Sequence, residues 1–96
     1  MVNNFVYNAI KTKKLKLFEP HFRRNFIHVK DVVDCIIYTI NNFKKMRNNV
    51  YNAGLNSANI TKIQLAKLIK KQIKSLKISV IDGIKDPDQR NYFVSN

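Results

Sequence analysis

The run Arg24-Asn25-Phe26-Ile27-His28-Val29-Lys30-Asp31-Val32-Val33-Asp34 changes its hydrophobic period partway along, and that change decides how the chain folds. Phe26 to Val29 is a short apolar run with the reading of a strand, and His28 within it is expected to be a structural histidine bonded in the sheet. Asp31 stands where a carboxylate can accept from the free amides that open a helix. Val32, Val33, Ile36, Ile37, Ile40 and Phe43 then recur at helical spacing. The spacing predicts a helix from Asp31 to about Asn42 or Phe43 with that set on its apolar face, and Asp34 solvent-facing or ion-paired.

Working outward, the same alternation of periods continues. Phe5, Val6, Ala9 and Ile10 predict a helix over residues 2 to 12, and Leu15 to Phe18 alternates as a strand that Pro20 ends. Val50-Tyr51-Asn52-Ala53 reads as a compact strand stopped by Gly54, with a loop at Asn56 to Asn59. Thr61 and Gln64 form a capping-box signature. The helix it opens turns Ile63, Ala66, Leu68, Ile69 and Ile73 inward and Lys62, Lys67, Lys70, Lys71 and Lys74 outward. Ile78 to Ile81 is a strand, Asp82-Gly83 a turn, and Tyr92 to Val94 a last short strand. Strands alternating with helices define an α/β layer, and no repeat, linker or internal boundary divides residues 1–96.

Composition narrows the function classes. With 45% hydrophobic residues, four Tyr and six Phe, the chain is globular in character. One cysteine, Cys35, excludes an internal disulfide, and two histidines without a Cys-x-x-Cys leave no zinc site. A reducing, cytoplasmic setting fits best. The longest apolar stretch, Val32 to Ile40, is interrupted by Asp34 and Thr39 and is far short of the roughly 20 residues of a membrane span. The segment Met1 to Phe5 lacks the pattern of a signal peptide. The net charge of +12 implies nonspecific attraction to polyanions.

Three segments in order, Arg24 to Asp34, Val50-Tyr51-Asn52-Ala53-Gly54 and Asp86-Pro87-Asp88-Gln89-Arg90-Asn91-Tyr92, resemble the C-terminal part of NAD-dependent nucleotide-sugar epimerases and dehydratases, the extended short-chain dehydrogenase/reductase family. The resemblance implies a partial α/β fold: the substrate-binding lobe over 1–96, without the dinucleotide-binding part that lies upstream in the family. It implies a nucleoside-diphosphate sugar as ligand, NAD(P) as the intact enzyme's cofactor, and, as in many relatives, homodimers. Arg24 and Arg90 correspond to the arginines that hold the diphosphate, and Asn52 to an Asn that bonds the nucleotide. A guanidinium suits the task because its planar fork meets two phosphate oxygens at once. Asn25 stands where many relatives have Asp, and Phe18 to Arg23 lacks the family's loop glycines. Both termini read as breaks in a longer protein.

Each of these residues has a plainer reading. Arg24 could be a solvated strand-edge cation, Arg90 a local partner of Asp86 or Asp88, and Asn52 a side chain that satisfies loop carbonyls. Asp86 and Asp88 form a turn rather than a metal pair, since no third ligand is near in sequence. Tyr7-x-x-x-Lys11 matches the family's catalytic Tyr/Lys pattern, but it stands too close to Arg24 and lacks a Ser/Thr partner, so no catalytic residue is assigned. With only Gly54 and Gly83, the chain alone cannot form a dinucleotide fingerprint. Two rival readings remain: a small basic nucleic-acid-binding module using the Lys62 to Lys74 face, and an inert truncated remnant.

Overall fold

A computed structural model describes residues 1–96. Helix α1 (Val2–Thr12) buries Ala9, whose methyl lets it lie close to its neighbours, and ends at Lys13 in the left-handed region (φ 57). Strand β1 (Lys14–Phe18) alternates as read, with Leu15 and Leu17 buried and Lys14 and Lys16 exposed. It pairs in parallel with β4 (Lys77–Ile81), Leu15 opposite Ile78 and Leu17 opposite Val80. Between them in sequence comes α4 (Lys62–Gln72), opened by the capping box: Thr61 Oγ1 accepts from the Gln64 amide and Gln64 Oε1 accepts from the Thr61 amide. Leu65, Ala66 and Ile69 of α4 meet Ala9, Leu15, Leu17 and Leu76 in a single small core. The outcome is a mixed α/β arrangement of four helices and two two-stranded sheets.

The second sheet joins β2 (Arg23–Asn25) antiparallel to β3 (Asn59–Thr61), with Arg24 opposite Ile60. This corrects the strand expected at Phe26 to Val29. Thr61 leaves β3 to cap α4, so only three positions find ladder partners, and Phe26 adds a single further bond to the Ala58 carbonyl. His28 is therefore not a sheet residue. It caps helix α2 (Val29–Asn41), its Nδ1 accepting from the Lys30 amide at 3.1 Å, while Asp31 sits in the first turn where the helix dipole favours a carboxylate. Asp34 pairs with Lys30 one turn away at 2.7 Å.

Two further expected strands do not form. Residues 50–54 run extended without a partner strand, Val50 fully in solvent, and lead into a short 3-10 turn at Asn56–Ala58. The Tyr92 to Val94 segment lies along the second sheet but makes one backbone bond there, from the Tyr92 amide to the Arg23 carbonyl. Its other ties use side-chain amides: Asn59 both donates to the Val94 carbonyl and accepts from its amide. A strand ladder needs backbone partners at alternate residues, and here asparagines supply them instead.

Helix α2 carries the apolar face read from its spacing, yet none of its 13 residues is buried. Beyond Asn42 a short helix α3 (Phe43–Met46) follows, with Phe43 also exposed. Only nine of the 96 residues are buried, and all of the buried hydrophobic ones belong to α1, β1, α4 and the turn at Leu76.

Candidate functional site

The alternation of β2 sends Arg23 and Arg24 to opposite faces, and it is Arg24 that goes inside, at 4% exposure. A guanidinium cannot shed its charge, so burial requires a full set of acceptors. Nη1 donates to the Arg23 carbonyl at 3.0 Å and Nη2 to the Asp88 carbonyl at 3.3 Å. Nη2 also lies 3.2 Å from the Asp88 carboxylate. The Tyr92 ring stands 5.7 Å from the guanidinium carbon, near enough for a cation–π contact.

Asp88 is held by its own turn. Its amide donates to Asp86 Oδ1 at 2.8 Å, the side-chain-capped turn expected of Asp-Pro-Asp. Arg90 closes on the same carboxylate from outside, Nε to Oδ1 at 2.7 Å and Nη2 to Oδ2 at 2.6 Å, a bidentate fork. Two guanidinium groups distant in sequence thus share one anion, and the anion is a side chain of this chain. The Arg90 fork, then the Arg24 contact, hold the Asp88 carboxyl well below the ordinary carboxylate range, and the same fork raises Arg90.

Lys62 completes the cluster. Expected on the outer face of α4, it is instead 2% exposed: its Nζ donates to the Phe18 carbonyl at 2.9 Å and to Asp86 Oδ2, and lies over the Phe22 ring at 5.2 Å. That hydrogen bond is the main reason the Asp86 carboxyl is lowered. Glu19 binds the far side of the turn, accepting from the Asp86 amide at 3.0 Å and from the Gln89 side chain at 2.8 Å. Three cations (Arg24, Lys62, Arg90) therefore pair with two carboxylates (Asp86, Asp88), and Glu19 braces the turn that carries them. Half of the chain's six acidic residues stand at this turn and its brace.

Asn52 is not part of this cluster. Its Nδ2 donates to the Ser95 carbonyl at 3.0 Å, the loop-satisfying role, and it lines an apolar groove of about 810 Å³ between α2 and residues 51–54. Of the three residues singled out by sequence, two meet and the third lies elsewhere. The place of Lys62 in the cluster and the contact of Asp88 with Arg24 were missed because neither local periodicity nor turn chemistry reports on a partner 24 or 64 residues away. The surviving clue was charge scarcity: acidic residues so few in a basic chain are expected beside buried cations.

Gly83 sits at φ 76 in the turn after β4 with open space where a Cβ would stand, and Gly54 faces the Asn25 side chain. No group of His, Cys, Asp and Glu has the geometry to hold a metal ion. No helix is long and apolar enough to cross a membrane. No protein-family model matches the chain.

Proposed function

We propose that the chain is the nucleoside-diphosphate-sugar-binding part of an NAD(P)-dependent sugar epimerase or dehydratase, with Arg24 and Arg90 as the diphosphate clamp. What supports this reading is one observation: both guanidinium groups are directed at a single anion, the Asp88 carboxylate, at 3.2 Å and 2.6 Å. A diphosphate carries more charge and more acceptor oxygens than a carboxylate, and each charge-assisted bond contributes about 1.5 to 3 kcal/mol.

Binding is an exchange. Every buried side-chain nitrogen and oxygen already has a partner, so an incoming phosphate displaces Asp88 from at least one arginine. Arg90 is the one to yield first, being mostly exposed, whereas Arg24 is enclosed and serves as the fixed anchor. Asn52 enters this account only as a groove residue, separate from the clamp. NAD(P) chemistry belongs to the remainder of such an enzyme, and no redox step is assigned to these residues.

Calorimetric titration with a uridine or thymidine diphosphate sugar, run beside an oligonucleotide at low and high salt, tests the reading. Saturable binding of the sugar nucleotide that Arg24→Ala removes supports it. Binding only of the oligonucleotide, falling steeply with salt, would instead favour a polyanion-binding role for the exposed Lys67, Lys70 and Lys71 of α4, with Lys74 in the turn beyond it.

A further inference from the structure

Residues 84–96 cross the second sheet with almost no backbone pairing and no share of the core. From Ile84 to Asn96 a single backbone–backbone hydrogen bond forms, the one from the Tyr92 amide to the Arg23 carbonyl at 3.3 Å. None of these residues is buried, and none packs against the hydrophobic cluster of α1, β1 and α4.

Side chains hold the segment instead. At one end Asp86 and Gln89 tie to Lys62 and Glu19. At the other, Asn91 Oδ1 accepts from the Arg23 amide at 2.9 Å, Asn59 bonds both backbone groups of Val94, and Asn52 donates to the Ser95 carbonyl at 3.0 Å. Asn56 Oδ1 accepts from the Asn96 amide at 3.1 Å. Polar ties of this kind are exchanged for bonds to water on opening, so each contributes little net stability. A segment with such ties and no apolar anchor opens at lower free-energy cost than the core beneath it. It joins β4 through Asp82 and Gly83, where φ is 76 and open space beside the glycine leaves room for the chain to swing.

What the segment covers is Arg24, which is 4% exposed although its strand has only three residues. Of the groups that bond or stack on its guanidinium, the Asp88 carbonyl, the Asp88 carboxylate and the Tyr92 ring come from this segment, and the Arg23 carbonyl alone comes from the sheet. An anion cannot reach Arg24 while the segment is in place. The same segment carries Arg90, the other half of the clamp.

We infer that residues 84–96 are a strap that gates this anion site: it lifts when the asparagine ties release, admits a phosphate-bearing ligand to Arg24, and closes with Arg90 upon it. The inference rests on the diphosphate clamp and adds its regulation. The ties are made in the empty and the occupied closed forms alike, so weakening them speeds entry and exit together and leaves affinity nearly as it was.

Asn91→Ala removes one tie without touching the guanidinium of Arg24 or Arg90. Amide hydrogen exchange of the ligand-free chain reads the strap by itself. The amides of Asp86, Tyr92 and Val94, each bonded across to the body, should exchange well ahead of those of Leu15 and Leu65. In Asn91→Ala they should exchange about fivefold faster, the fold-change of one lost hydrogen bond, with β1 and α4 unaltered. Strap amides that exchange only as slowly as those of Leu15 and Leu65 overturn the proposal. Pyrophosphate titrated into Asp88→Asn, with and without Asn91→Ala, then reads the gate through NMR line shapes. Association and dissociation should both quicken about fivefold with Asn91→Ala while Kd stays within about twofold. Binding whose rates Asn91→Ala leaves unchanged overturns the gate and spares the clamp; no binding by Asp88→Asn overturns both.

Discussion

Lys62 lies inside because three different groups wait for its ammonium: a carbonyl, a carboxylate and an aromatic face. Removing the ammonium while keeping the alkyl volume isolates the charge. Lys62→Met should cost about 2 kcal/mol, below the roughly 3 to 5 of a fully buried pair because the Asp86 side chain retains some solvent. Adding Asp86→Asn should recover part of that loss. Urea midpoints of the two single variants and the double complete the cycle; strict additivity would deny the coupling. Acid should act through the same turn. The Asp86 and Asp88 carboxyls are lowered in the folded chain, so it binds fewer protons than the unfolded chain just below the ordinary carboxylate pKa of about 4. Their stabilisation is complete above that value and is lost as pH falls through the lowered ones. Urea midpoints should thus drop on acidification below about pH 4, and less so in Asp86→Asn. A midpoint that stays constant down to pH 2 would contradict the network.

At the scale of elements, the sequence was informative wherever the signal was local. The capping box at Thr61, the alternation of Leu15 and Leu17, and the Asp86-Pro87-Asp88 turn all stand where they were read, because each is set by residues within a turn of one another. The failures share the opposite cause. A strand exists only if another strand meets it, and Val50 to Ala53 and Tyr92 to Val94 have apolar content without a ladder partner. Helix α2 forms where its period predicted a helix and its apolar face is uncovered, since a 3.6-residue period marks a face without saying what covers it. Two backbone predictions follow at this scale. Lys13 ends α1 at φ 57, a conformation costing a non-glycine residue about 1 kcal/mol, so Lys13→Gly should raise the urea midpoint slightly. A Cβ at Gly54 would come within 2.5 Å of Asn25 Oδ1, whose amide donates to the Leu55 carbonyl at 2.9 Å. Gly54→Ala should therefore displace that side chain and cost about 1 kcal/mol, the worth of the hydrogen bond, and a neutral result would show that Asn25 yields freely.

Over the whole molecule, two features stand apart in space and in cause. One is a turn whose Asp86 and Asp88 carboxylates pair with Arg24, Lys62 and Arg90; the other is a thin core that leaves α2 uncovered. The pairing of Arg90 with Asp88 was among the plainer readings of the sequence, but the approach of Arg24 to the same carboxylate was not, because the two lie 64 residues apart. That carboxylate makes the central claim measurable. If the two guanidinium groups form an anion site now held by Asp88, freeing them should open it. Inorganic pyrophosphate titrated into wild type, Asp88→Asn and the charge-matched control Asp34→Asn compares the open site with the closed one at equal net charge. The account predicts at least tenfold tighter binding by Asp88→Asn and little change in Asp34→Asn. Equal affinity in the two variants would mean that pyrophosphate responds to overall charge alone, and the clamp would be contradicted.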